Sequence, residues 1–314
     1  MVRNEFTFRS ADGKTQLHGV EWLPEGDVQA VLQISHGVSE YILRYEPLAE
    51  YLTARGFAVA GHDHLGHGTS VPSGGTRLYF GPKGSWFWVA EDLNTRRNLI
   101  RERFPNVPCF LLGHSMGSFL ARTDLIRHPG AVEGAILMGT GHMTPALLAG
   151  GRAIAALEAR RIGPEHSSPL VERLAFGAYN KKFAPNRTAF DWLSRNPDNV
   201  DRYLSDPLCG GSPTVGLFRE MLGGIQFITQ PDNLKKMDPH VPILFISGEQ
   251  DPVGDCGKGV KRAFEAFRRA GVQDVTCKLY PDLRHEILCE AEWETVCQDL
   301  FQWLSAKLSA RENS

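Results

Sequence analysis

The chain lacks the signatures of several large classes of protein. Its six cysteines, at 109, 209, 256, 277, 289 and 297, include no C-x-x-C pair. That excludes a zinc knuckle or a thioredoxin-like dithiol and makes free thiols the expectation, with a disulfide among the later members left open. No stretch of about 18 residues is uninterruptedly apolar, and the opening Met1-Val2-Arg3-Asn4-Glu5-Phe6 has no apolar core of signal-peptide length. Neither export nor a membrane span is therefore expected, and the cytoplasm is the default location. Basic residues are scattered and in no surplus, with a net charge of -2, so nucleic acid is not an expected partner. Internal repeats are absent, and low complexity is confined to a short polar tail at 311–314.

What is present is the composition of a globular protein, 42% hydrophobic and 22% charged over 314 residues, enough for one large α/β domain with an insertion or for two domains. Residues 4–10 and 15–23 alternate polar and apolar side chains around Ala11-Asp12-Gly13-Lys14, which predicts a β-hairpin at an antiparallel sheet edge. Short apolar strands are expected at 30–34, 57–61, 109–112 and 132–138, separated by helical patterns at 45–54, at 86–104 and from the serine turn to about 127. That alternation predicts a mostly parallel sheet covered by helices on both faces. Between 139 and about 238 the rhythm stops, and helical pieces at 146–161, 169–179 and 215–229 predict an inserted helical cap. Strands at 241–246 and 275–280, with helices at 258–270 and 292–307, then resume it. The expected division is a core of 1–140 and 239–314 interrupted by a cap at 141–238.

The chain is organised around Gly113-His114-Ser115-Met116-Gly117, where an apolar run enters a tight turn and a helical pattern leaves it. A serine hydroxyl is a poor nucleophile unless it is exposed, close to a base and faced by donors for the oxygen that becomes negative. A sharp strand-to-helix turn supplies the exposure, and glycines on either side accommodate the strained backbone. Two further candidates follow later strands: Asp251 in Glu249-Gln250-Asp251-Pro252-Val253, with Asp255 as a second possible acid, and His285 after Pro281-Asp282-Leu283-Arg284. In a doubly wound sheet such positions converge at the carboxyl ends of the strands. His285 is expected to take the Ser115 proton while Asp251 holds the other ring N–H. The oxyanion donors are expected to be the N–H of Met116, directly after the nucleophile, and the N–H of Val38, in the loop His36-Gly37-Val38-Ser39-Glu40.

The run His62-Asp63-His64-Leu65-Gly66-His67 is similar to part of a metallo-β-lactamase signature. Gly66 stands where that signature has its acid, so loop histidines engaged in hydrogen bonds are expected and no metal.

Taken together, His36-Gly37-Val38-Ser39-Glu40 with Arg44-Tyr45, Asp63-His64-Leu65-Gly66-His67-Gly68-Thr69-Ser70, the Ser115 turn, Asp206-Pro207, Gly248-Glu249-Gln250-Asp251-Pro252-Val253 and Arg284-His285-Glu286 resemble the α/β-hydrolases of the monoacylglycerol lipase, lysophospholipase and serine aminopeptidase S33 type. The order serine, acid, histidine is also theirs. The resemblance implies an α/β-hydrolase fold with a helical cap. It implies a serine hydrolase without metal or cofactor, using Ser115, Asp251 and His285 with Val38 and Met116 as oxyanion donors. It also implies carboxylic esters with a lipid-like acyl chain as substrates. Glu40 and Arg44 match the start of the cluster that receives the glycerol end in monoacylglycerol lipases, or form a structural ion pair. Leu288 stands where the animal enzymes have a histidine. In the cap, Leu147, Leu148, Ile154 and Leu157 are candidates for an acyl tunnel, a membrane face or simple packing, and Arg152, Arg160 and Arg161 permit a peripheral membrane contact.

Two competing readings remain at this level. An amidase or aminopeptidase on the same machinery would need an acidic pocket for a substrate amine. A ligand-binding protein on the same scaffold would tolerate loss of a triad member, whereas all three positions are filled.

Overall fold

The computed structural model describes residues 1–312. Strands β1 (Val2–Arg9) and β2 (Gln16–Leu23) form the expected hairpin, in register from Val2 opposite Leu23 to Arg9 opposite Gln16. Gly13 takes φ 78° in its turn, a conformation open to glycine at no steric cost. β2 then pairs antiparallel with β4 (Phe57–His62). From there β3 (Ala30–Ser35), β5 (Cys109–His114), β6 (Gly134–Met138), β7 (Ile243–Gly248) and β8 (Val275–Tyr280) continue in parallel. The eight strands lie in the order β1-β2-β4-β3-β5-β6-β7-β8. Every residue of β3 to β7 is buried, which is why these segments read as unbroken apolar runs and not as alternating ones. The strand expected at 241–246 begins instead at Ile243. Pro242 has no N–H for the ladder, and its carbonyl accepts from Ala135 at 2.9 Å.

Side chains alternate across this sheet. Leu111, Leu137 and Phe245 face α2 (Trp86–Arg103), α3 (Met116–Arg127) and α9 (Lys258–Ala270), whereas Phe110, Leu112, Ile136 and Ile246 face α1 (Glu46–Thr53) and α10 (Trp293–Glu312). α10 takes in the start of the polar tail expected from 311. Asn313 and Ser314 lie outside the described residues.

Between β6 and β7 the chain forms α4 (Pro145–Ile162), α5 (Pro169–Phe176), α6 (Pro197–Ser205), α7 (Val215–Thr229) and α8 (Pro231–Leu234). The starts are set locally. Thr144, Ser168, Asn196 and Thr214 accept a backbone N–H through their side chains, and proline stands in the first turn of α4, α5 and α6, where its missing N–H costs nothing. α6 was not among the expected helices, although Asn196-Pro197 is a start signal. α5 stops at Phe176, short of the expected 179. The inserted helices do not form one separate layer. α7 packs on both α4 and α3 and sends Leu217, Ile225 and Ile228 into the main core, whereas Ala155 and Val171 of α4 and α5 share a small cluster with Val215 and Phe218.

Arg122, buried in α3, links these parts. It donates to the carbonyl of Gly141, where the chain leaves β6, at 2.9 Å, and to that of Ile228, near the end of α7, at 3.4 Å. Among the described residues no carboxylate partners it, and burial lowers its pKa to about 9. The negative end of α7 is what faces the charge.

All six cysteines are free thiols. Among the described residues no helix is long and apolar enough to cross a membrane.

The two buried faces also hold ion pairs. Arg97 of α2 makes a bidentate pair with Asp124 of α3, at 2.7 and 2.8 Å, with both side chains inaccessible. Removing one partner of such a pair strands a buried charge. Asp124→Ala is expected to lower the unfolding free energy in urea by about 3–5 kcal/mol, and a loss below about 1 kcal/mol would contradict this account of how α2 and α3 are held.

Candidate active site

Ser115 sits between β5 and α3 with φ 54° and ψ -122°, a backbone conformation that a non-glycine residue holds only when its surroundings enforce it. The enforcement is steric. A Cβ at Gly117 would lie 2.0 Å from the carbonyl oxygen of Ser35, and one at Gly113 would lie 2.4 Å from that of Gly117. The turn is therefore packed backbone against backbone. The N–H of Ser115 donates to Met138 at 3.0 Å, and the Ser118 hydroxyl donates to the Ser115 carbonyl at 2.6 Å. The N–H of Met116 is the first of α3, one of the donors that a helix leaves without an intrahelical acceptor.

His285 follows β8, its side chain buried between two rings: His114, with centroids 4.7 Å apart, and Trp192, at 5.2 Å. Its Nδ1 lies 3.0 Å from Asp251 Oδ1. The contact is close but does not have the geometry of a hydrogen bond. Asp251 is itself held by Ser247 Oγ at 3.1 Å and the N–H of Val253 at 2.9 Å. Asp255, the other candidate acid, is exposed and pairs with Arg262 at 3.3 Å.

A cavity of about 420 Å³ brings Ser115, His285, Gly37 and Val38 to one surface, roofed by Phe176, Phe190, Trp192 and Leu193 from the insertion. Gly37 is needed there: a Cβ would lie 2.6 Å from Glu40 Oε1 and 3.2 Å from Ser115 Cβ. Of the four cap residues singled out as acyl-tunnel candidates none lines this cavity. Leu147, Ile154 and Leu157 are exposed, and Leu148 packs into the main core.

Behind the cavity lies a charged cluster that sequence reading reached only in part. Glu40 Oε1 accepts from the N–H of Gly37 at 2.5 Å, Tyr45 Oη at 3.0 Å and His114 Nδ1 at 3.1 Å, and Oε2 accepts from Arg44 at 2.8 Å. Arg44 also makes a bidentate pair with Glu286, at 2.7 and 3.0 Å, to which Asn199 donates at 2.6 Å. Burial alone would raise the Glu40 pKa, but the hydrogen bond from His114 and the Arg44 charge outweigh it and hold the carboxyl well below its usual range. Glu40, His114, Tyr203 and Glu286 form the wall between the first cavity and a larger one of about 560 Å³, which does not reach Ser115. The only sequence signals for Glu286 and His114 were their places beside His285 and Ser115.

His62, His64 and His67 are buried with His36, the His36 and His64 rings 4.2 Å apart. Among the described residues no group of three His, Cys, Asp or Glu side chains is arranged to hold a metal ion. These imidazoles are neutral. Burial lowers the pKa of His36 and His64, and takes His62 and His67 down to about 3.

The serine aminopeptidase S33 family model matches residues 26–292. The chain belongs to that family of α/β-hydrolases. A monoacylglycerol lipase of Mycolicibacterium smegmatis is 28% identical over 313 residues, covering 98% of this chain and 99% of its own. A monoglyceride lipase of Mus musculus is 30% identical, covering 92% and 86%. Among solved structures, a thermostable carboxyl esterase from Bacillus coagulans in complex with glycerol superimposes with a TM-score of 0.90 at 29% identity, over 98% of this chain and 99% of that one. The hydrolase is a carboxylic ester hydrolase of the monoacylglycerol lipase and S33 type, with the mostly parallel sheet and helices of that fold.

The buried histidines set the acid limit of this enzyme. Their folded pKa values lie below 6.5, so the unfolded chain takes up protons first and stability falls as pH drops below about 6.5. His18 and His114 have raised values, so their contribution is full below about 6.5 and is lost as pH rises through the raised values. Urea unfolding is expected to show stability declining between about pH 6.5 and pH 5, above the carboxylate range. A flat profile there would exclude neutral histidines in the fold.

Proposed function

We infer that Ser115 attacks the carbonyl carbon of a lipid-derived carboxylic monoester, of the monoacylglycerol or lysophospholipid type, and forms an acyl-enzyme. His285 takes the Ser115 proton through Nε2 while Asp251 holds Nδ1–H, fixing the tautomer and stabilising the imidazolium. The oxygen of the tetrahedral intermediate receives the N–H groups of Val38 and Met116, each contributing about 3 kcal/mol to lowering the barrier. His285 then protonates the departing alcohol, and the same base activates water to release the fatty acid and restore Ser115. The observation that carries this reading is the contact of His285 Nδ1 with Asp251 Oδ1 at 3.0 Å, in a site where Ser115 and His285 border one cavity.

The cavity favours an ester over a substrate amine. Its carboxylates are Glu40, Glu172 and Glu286. The two buried ones along the wall, Glu40 and Glu286, are engaged by Arg44, His114, Tyr45 and Asn199, and Glu172 accepts from Ser212. An aminopeptidase pocket would keep such a group for the amine. The aromatic roof suits an acyl chain, and the relatives named as lipases support a glyceride. Glu40 and Arg44 spend their polar atoms inside the protein, which favours the ion-pair role for them over direct contact with glycerol.

The inserted segment, 141–238, serves in this reading as the cap that admits the acyl chain. Its outer face supports a peripheral membrane contact: Leu147, Leu157, Leu170 and Leu174 are exposed by 60%, 66%, 41% and 56%, on α4 and α5, with Arg152, Arg160, Arg161 and Arg173 in the same helices. Exposed leucines with arginines in the same helices suit an anionic interface.

Ser115→Ala is expected to lower kcat on monoacylglycerols by at least about 10⁴-fold and to abolish fluorophosphonate labelling. Ordinary turnover by that variant would sink the mechanism, and an unreactive wild-type Ser115 would point to a ligand-binding protein. Higher turnover of aminoacyl amides than of monoacylglycerols would reverse the substrate assignment. In flotation with anionic vesicles the enzyme should co-migrate, whereas Leu157→Asp with Leu174→Asp should not, while keeping its turnover of p-nitrophenyl acetate. Equal flotation of both proteins would dismiss the membrane face.

A further inference from the structure

We propose that His114 is a buried imidazolium that positions the His285 backbone relative to Ser115. The inference rests on the triad reading of Ser115, Asp251 and His285, and its support is independent of that reading.

The first support is the hydrogen-bond inventory. His114 Nδ1 lies 3.1 Å from Glu40 Oε1, and Nε2 lies 3.3 Å from the main-chain oxygen of His285. An ionised carboxylate and a peptide carbonyl only accept, so both ring nitrogens must donate, and an imidazole that donates twice carries a positive charge. The second support is charge balance in a buried cluster. Glu40 and Glu286 bring two negative charges and Arg44 one positive. A neutral His114 would leave one negative charge without a counter-charge out of water, which is costly. The third is electrostatic in the same direction: burial alone would lower the His114 pKa, but the hydrogen bond and charge of Glu40 more than offset it, with Glu286 and Asp251 adding to the rise.

The groups that face His114 are Glu40 and His36 from the oxyanion loop, Arg44 and Tyr45 ahead of α1, His285 and Glu286 from the loop after β8, and Asp251 after β7. His36 is neutral and Tyr45 is a donor to Glu40. The His285 ring lies 4.7 Å from that of His114. The Nε2 contact also ties the His285 backbone to the residue before Ser115, which fixes base and nucleophile relative to each other.

The test is ¹⁵N NMR of the wild-type imidazoles at about pH 7.5: two protonated ring nitrogens on His114 support the proposal, and one overturns it. For the positioning role, kcat and KM on a monoacylglycerol are compared for the wild type and His114→Gln, which removes the charge and keeps an amide donor. The variant should lose about ten-fold or more in kcat with KM held to within a few-fold, and a variant with wild-type kcat would overturn that role. Turnover by Ser115→Ala would instead refute the triad reading, a failure the NMR result on His114 would not share.

Discussion

A carboxylate buried without water has to be satisfied by the protein around it, and Glu40 meets that requirement by gathering parts of the chain that are far apart in sequence. Its oxygens take donors from Gly37 in the loop after β3, from Arg44 and Tyr45 ahead of α1, and from His114 at the end of β5. Through Arg44 and Glu286 the same network reaches the loop that carries His285. Because an unpaired charge in that position would cost several kcal/mol, each of these loops is fixed by the others. The loop after β3, the serine turn and the loop that carries His285 are thereby held together, though no strand or helix contains all three.

Steric exclusion does the rest at the serine. Between Gly113 and Gly117 the backbones of β3, β5 and α3 approach too closely for any side chain, so the positive φ of Ser115 is imposed by packing. Strain of this kind costs about 1–3 kcal/mol, and the buried core on both faces of the sheet supplies the rigidity that maintains it. Electrostatics and close packing thus have separate tasks: one aligns loops, the other aims a hydroxyl.

The core of the fold was legible in the sequence because its strands are buried on both faces and some helices, such as α9 with Val260, Ala263 and Phe267 buried, show a helical period. Short apolar runs at 30–34, 57–61 and 109–112 correspond closely to β3, β4 and β5. Boundaries shifted where one residue's chemistry overrode the pattern, as at Pro242. Within the insertion, α6 went unread because it is only nine residues long and buries just two apolar side chains, Val200 and Tyr203, too few to show a period. At the site, motif spacing singled out Ser115, Asp251, His285, Val38 and Met116, since each sits at a turn after a strand. It did not reveal the bidentate pair of Arg44 with Glu286 or the stacking of Trp192 on His285. Those depend on contacts between residues well over a hundred positions apart, or on a loop of the insertion, and neither leaves a periodic trace. Nor did it show that Leu147, Ile154 and Leu157 of α4 face outward while α5 and the loop before α6 line the cavity.

Arg122 bears on how such a chain diversifies. A single guanidinium in the helix behind Ser115 grips the point where the backbone departs from β6 and the point where α7 ends. What lies between is a tethered loop with both feet on the same stone. An exposed side chain between those feet, such as Leu157, can be exchanged with little mechanical effect on the serine, whereas Trp192 lies against the His285 ring and Leu148 packs into the main core. Diversification of such a chain would start on the outer face of α4 and α5.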